Sequence, residues 1–148
     1  ELTIMTLVQQ LKKHCINQNL RVNEPATQLE IEQFEKKHDV KLTNILKEYF
    51  LTFNGTGEGN FCDKGFSFFA LNEVKPVIDI EGIDYFKEQN CFVFSEYLLW
   101  MEGYAIQLDT DGNDLGIYEI CNDKNKLYDS FEDFINEVIQ ENIDVYSR

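Results

Sequence analysis

The sequence predicts an α+β domain, an antiparallel β-sheet meander packed with N-terminal helices and a C-terminal helix. Three observations carry this. Apolar residues recur at helical spacing up to Gly55, the period drops to about two between Phe66 and Ile120, and helical spacing returns after Ser130.

The elements follow in order. Ile4, Leu7, Val8, Leu11 and Cys15 fall on one helical stripe, with Thr3 as a candidate N-cap, until "RVNEP" breaks the pattern. In "PATQLEIEQFEKKHDV", Thr27 and Glu30 form a capping box. Ile31, Phe34 and His38 keep the apolar spacing behind it, while Glu30, Glu32, Glu35, Lys36 and Lys37 read as solvated. Thr43 can cap a third helix whose wide apolar face is Ile45, Leu46, Tyr49, Phe50 and Phe53. That helix ends at "FNG", where Asn54 and Gly55 suit the left-handed conformation of a helix stop. Short strands follow at Phe66–Leu71, Cys91–Glu96, Tyr104–Asp109 and Leu115–Ile120, rich in aromatic and branched residues. Asp111-Gly112 suits a tight hairpin turn between the last two, and Lys126–Tyr128 suits an edge strand. Ser130 then caps a helix that turns Phe131, Phe134, Ile135, Val138 and Ile139 inward. With no repeat, low-complexity tract or linker, residues 1–148 read as a single domain.

Several chemistries can be weighed against these elements. Gly55, Gly57 and Gly59 suggest a phosphate loop, which needs a strand before it, a helix after it and a nearby cation. Here the order is reversed, and Glu58 and Asp63 outweigh Lys64, so the glycines read as a helix stop and a mobile turn. Asp109, Asp111 and Asn113 have calcium-loop spacing. However, Asp114 stands where such a loop needs glycine, and Ile120 where it needs a bidentate glutamate. The cysteines, Cys15, Cys62, Cys91 and Cys121, lack the paired spacing of a zinc site and read as reduced thiols of a cytoplasmic protein. His14 and Cys15 are neighbours on a helix and point apart, so they make no catalytic pair. The reading is a protein without cofactor or metal, and not an enzyme. No apolar run is long enough to cross a membrane and no signal pattern opens the chain; its first residue is Glu1 rather than Met, which leaves a removed leader open.

Charge is the informative quantity. Lys and Arg number 13 and Asp and Glu 27, a net charge of −14. Residues 1–50 are balanced, so residues 51–148 carry the whole excess, and no cation lies between Lys87 and Lys124. Such a field repels nucleic acid and anionic lipid and speeds encounter with a basic partner, although a solubilising surface is the plainer explanation of acidity alone.

The stretch Pro25–Gly55 resembles the opening signature of the SUKH superfamily, the Smi/Knr-type domain. The family's "IxxFE" core matches Ile31, Phe34 and Glu35; its "gVxLP" joint matches Val40 and Leu42; its "fNG" stop matches Phe53, Asn54 and Gly55. "FSFFALNEV", "CFVFSEYL", "YAIQLD", "LGIYEI" and "SFEDFINEVI" resemble its later pieces in order, so the likeness runs from about Pro25 to Ile139. Thr43 replaces the usual proline after Leu42; both residues serve a helix start.

The resemblance implies a binding domain without catalytic residues. Many bacterial members are immunity proteins encoded beside polymorphic toxins, and related fungal domains occur in regulators. It therefore points to a cytoplasmic protein that occludes a cognate toxin domain, itself basic and acting on nucleic acid. The alternative is a regulatory or scaffold module whose acidity only solubilises. "SEYLLWMEGY" is the candidate anchor, offering Glu96, Tyr97, Trp100 and Glu102 to a basic surface, against the plainer possibility that these rings pack in the core. Asp109, Asp111 and Asp114, on a turn, are the candidate surface charges.

Overall fold

In the computed structural model, which describes residues 4–61, 65–84, 86–88, 90–121 and 124–140, three helices precede a six-stranded sheet and a fourth follows it. Helix α1 is Leu7–Asn17, α2 Gln28–His38, α3 Asn44–Thr52 and α4 Phe131–Ile139. The expected caps Thr27, Thr43 and Ser130 each accept the amide three residues on. For α1 the expectation shifts. Thr3 lies outside the described residues, and the N-cap is Thr6, which forms a reciprocal capping box with Gln9. Helix α1 therefore starts after Ile4, which is 90% exposed rather than part of the stripe. Glu35, expected in solvent, turns inward at the α2–α3 joint. It accepts the Leu42 amide at 2.8 Å and lies 3.9 Å from the Lys47 ammonium.

The strands are β1 Phe66–Phe68, β2 Lys75–Pro76, β3 Cys91–Tyr97, β4 Glu102–Leu108, β5 Asp114–Glu119 and β6 Asn125–Tyr128. All pair antiparallel in the order β1-β3-β4-β5-β6, and the short β2 shares with β1 the edge of β3 that faces away from β4. One face of the sheet meets the helices. There Phe94 stacks edge-on against Phe131 and Phe134 at 5.3 Å, and Tyr104 lies 5.3 Å from Phe134. Among the described residues the other face has no α-helix on it. Cys91, Val93, Ala105 and Ile120 are roofed there by Phe69, Val77, Ile83 and Phe86, from the irregular chain between β1 and β3. Strands β3 and β4 are thus sandwiched, which explains why their burial does not alternate.

The glycine loop belongs to this framework. Gly55 has φ +78°, and a Cβ there would stand 2.5 Å from the Phe68 carbonyl oxygen. That close approach lets the Thr56 and Gly57 amides both donate to Phe68 O at 2.9 Å, joining the end of α3 to β1. Leu71 N donates to Asn54 Oδ1 at 2.8 Å, so strand β1 stops at Phe68 and the chain enters a 3-10 turn over Leu71–Glu73. The turn expected to be mobile is pinned: Asn60 Nδ2 donates to the Arg21 carbonyl, and Glu58 N to the Glu73 carboxylate.

Candidate functional site

The β3–β4 connection, Leu98–Met101, has an unusual backbone. Leu98, Leu99 and Trp100 have φ of +42°, +51° and +69°, three successive side-chain-bearing residues in the left-handed region. The left-handed conformation costs about 1–2 kcal/mol per residue, hence about 3–6 kcal/mol for the tip. Two hydrogen bonds hold it, Leu98 N to Gly65 O at 2.9 Å and Met101 N to Leu98 O at 3.2 Å. Its geometry leaves Leu99 and Met101 in solvent, 76% and 57% exposed. Trp100 is laid back over the roofed face, its ring 5.8 Å from Phe69. Gly103 makes room for it, since a Cβ there would lie 3.0 Å from the indole.

Around the half-buried indole the surroundings are acidic. Trp100 Nε1 donates to Glu58 Oε1 at 3.1 Å. Lys75 Nζ sits 5.5 Å from the ring centroid, a cation–π placement. Between Trp100 and the chain from Lys75 to Ile83 lies an open groove of about 520 Å³, also lined by Asp79, Glu81 and Cys121. Asp79 and Glu81 are exposed and make no ion pair with another described residue. Burial pushes the Cys121 thiol up to about 12, with the nearby Glu102 acting the same way, so it stays protonated.

The expected anchor residues divide. Trp100 is at the surface, but Glu96, Tyr97 and Glu102 are 1%, 5% and 4% exposed, a correction to their expected display. For Glu96 the reason is the sandwiching of β3 and β4, which gives an outward-looking side chain a roof instead of water; Tyr97 and Glu102 pair with each other on the helix-facing side, the side of Tyr104. Tyr97 packs 5.5 Å from Phe66. Glu102 is structural: its Oε1 accepts the Gly103, Ile120 and Cys121 amides at 3.0, 3.0 and 2.7 Å, ending β5 with a carboxylate cap. Glu96 is less well served. It faces Ser67 across the β1–β3 ladder, yet Glu96 Oε2 and Ser67 Oγ both lack a hydrogen-bond partner. Burial, then the charge of Glu58, raises its carboxyl above the ordinary range and outweighs the opposing pull of the nearby Gly59 amide, Ser67 hydroxyl and Lys75, none of which forms a well-aligned bond to Oε2.

The hairpin-turn aspartates also divide. Asp109 folds the turn, accepting Asp111 N, Asn113 N and Asn113 Nδ2 at 2.9 Å; those bonds hold its carboxyl below the ordinary range. Asp114 accepts Phe131 N at 2.6 Å at the start of α4 and Gly116 N at 3.0 Å. Its burial, the largest influence, outweighs these bonds and raises its carboxyl. Asp111 is the freely exposed member. The acidic interval from 88 to 123 is therefore no continuous surface. Glu96 and Glu102 are internal, Glu88 pairs with Lys124, and Asp123 lies outside the described residues.

Sequence reasoning missed Glu58, Lys75, Asp79 and Glu81. The available signal was "VIDIEGI", Val77–Ile83, where acids alternate with branched apolar residues. Among the described residues, no three His, Cys, Asp or Glu side chains are grouped to hold a metal ion, and no helix is long and apolar enough to cross a membrane. Cys15, Cys91 and Cys121 form no disulfide, while Cys62 lies outside the described residues.

No curated protein matches the chain. A family model matches residues 25–137, from the Thr27 capping box to α4, which includes the sheet, its irregular roof and the groove beside Trp100. The chain belongs to the SMI1 / KNR4 family (SUKH-1).

Proposed function

We propose that this chain is a cytoplasmic, non-catalytic immunity protein, one domain over 1–148, that neutralises a cognate basic toxin domain by occlusion. The observation that carries the reading is the surface at the β3–β4 tip. Two exposed apolar side chains, Leu99 and Met101, flank a half-exposed indole, and Glu58, Asp79 and Glu81 stand near it with Lys75 as the cation. An aromatic and apolar centre within an acidic rim is the arrangement that anchors a basic partner surface. Family membership supports a binding role. The net charge of −14 supports fast capture of a positive partner and disfavours nucleic acid as a ligand.

Within this reading Trp100 is the anchor and Asp111 a steering charge. Asp109 and Asp114 add to the field while holding the turn and the start of α4, and the buried Glu96, Tyr97 and Glu102 shape the surface from below. The test is co-expression with the C-terminal domain of the protein encoded by the neighbouring reading frame. Neutralisation of a toxic domain, with recovery of a complex of the two, is the expected result. A neighbour that is harmless alone, or a toxin whose effect this chain leaves intact, rejects the reading and favours a regulatory or scaffold module.

A further inference from the structure

We propose that the groove between Trp100 and the Lys75–Ile83 chain recognises an arginine side chain of the basic partner, with Lys75 occupying the cation position until the partner arrives. This rests on the toxin-binding reading and names the part of the surface that confers selectivity.

Three features of the groove point to a guanidinium. The first is the indole. Trp100 is fixed against Phe69 on its inner side and tethered to Glu58 through Nε1, leaving it as a positioned platform. The second is Lys75. Its ammonium lies over the ring, 5.5 Å from the centroid, and forms no salt bridge with another described residue. A cation held by a π face and by the field of the buried Glu96, without a salt bridge, is weakly held, because an exposed cation–π contact is a small interaction. The third is the pair Asp79 and Glu81, on the opposite wall, exposed and without ion pairs among the described residues. An ammonium over the ring is a point charge. A planar guanidinium can stack on the indole and still direct its edge N–H groups to carboxylates, so arginine suits both walls where lysine suits one.

The groove is also unsuited to other occupants. Its acids repel phosphate and carboxylate ligands. Its one sulfur, Cys121, stays a thiol because burial raises it, so no thiolate is available for chemistry. The left-handed tip has a purpose in this account, since it is what folds Trp100 back over the groove while Leu99 and Met101 meet the partner around it.

Trp100 is the sole tryptophan of the chain, so its emission reports the groove directly. The probe is an acetylated tetra-arginine amide, titrated into the full chain at low salt, with tetra-lysine amide as comparison. Tetra-arginine is expected to change Trp100 emission saturably and to bind more tightly than tetra-lysine. The double variant Asp79→Asn/Glu81→Gln should weaken it by about three- to tenfold, the scale of two exposed charge pairs. Lys75→Met, which vacates the ring and removes a like charge, should tighten it by about threefold. A merely acidic surface predicts neither the arginine preference nor the gain from Lys75→Met. Binding of tetra-arginine seen by calorimetry without an emission change, or weakened or unaltered by Lys75→Met, overturns the proposal. The functional reading fails separately. If toxin neutralisation is intact and equal in wild type and both variants, the groove proposal falls and the immunity reading stands. If the chain neutralises no neighbouring toxin but binds tetra-arginine with these variant effects, the groove stands and the immunity reading falls.

Discussion

Glu96→Gln should stabilise the protein at neutral pH and flatten its pH dependence. Glu96 is 1% exposed, and its Oε2 has no hydrogen-bond partner. The Ser67 hydroxyl opposite it in the ladder is equally unbonded, and the Glu58 carboxylate adds repulsion. Leaving a buried polar atom unsatisfied costs about 1–3 kcal/mol, and more when it is charged. Glutamine keeps the volume, removes the charge and supplies an N–H that can reach the Ser67 oxygen. A gain of about 2 kcal/mol follows at pH 8, equivalent to about 4–8 °C in Tm for a chain of this size. The pH dependence has a definite sign. The folded carboxyl is raised above its unfolded value of about 4.3, so between the two values the native state binds the additional proton. Its favourable contribution is complete below the unfolded value and is lost as pH rises through the folded one. Wild-type stability should thus decline more steeply than that of Glu96→Gln as pH rises from the unfolded value through the folded one, with Asp114, raised in the same direction, leaving a residual slope in both. Urea unfolding at pH 5, 6, 7 and 8 measures this. A variant less stable than wild type at pH 8, or parallel pH curves, refutes the reasoning.

Other substitutions probe the frame around the groove. Glu102→Ala removes the acceptor of the Cys121 amide, while the Ile120 amide keeps the Gly103 carbonyl, and should cost about 1–3 kcal/mol in urea unfolding, most of it restored by Glu102→Gln. Gly55→Ala puts a methyl 2.5 Å from the Phe68 carbonyl oxygen in a left-handed position; a loss of at least about 3 kcal/mol is expected by the same assay. Asp111→Asn removes an exposed charge that supports no other described group in a hydrogen bond, so association with the proposed toxin at low salt should slow slightly while dissociation and Tm stay unchanged. An altered dissociation rate would place Asp111 in the contact itself.

The helices were legible because their starts and stops are local chemistry. Thr27 with Glu30, Thr43, Ser130 and Asn54-Gly55 each satisfy backbone groups within a few residues, and each appears in the expected role. The meander was legible through its aromatic, branched strands, and the Asp109–Asn113 hydrogen bonds close the hairpin where Asp111-Gly112 indicated it. The carboxylates of β3 and β4 were misread for a physical reason. On a sheet with one wet face, Glu96 would be exposed, whereas Glu102, on the helix-facing side with Tyr97, is drawn in by the Gly103, Ile120 and Cys121 amides. The chain from Phe69 to Phe86 covers the otherwise wet face without a period that announces it, and so turns surface positions into interior ones. The tip was equally hidden, because Leu98, Leu99 and Trp100 lack the glycine or asparagine that usually marks left-handed backbone.

The features that local rules did not anticipate lie close together. The left-handed tip, the poorly satisfied Glu96, the glycine under Trp100, and Lys75, Asp79 and Glu81, which form no salt bridge with another described residue, all belong to the Trp100 end of the roofed face. At the other end of β4, Asp109 satisfies its own turn and Asp114 satisfies α4. A sheet selected for stability alone would have no reason for such an asymmetry, since a glycine in the tip and a glutamine at 96 would each relieve strain or repulsion. Local rules tend to fail where a protein binds or reacts. The uneven distribution of cost along β3 and β4 therefore supports the working surface proposed at Trp100 and the cation selectivity proposed for its groove.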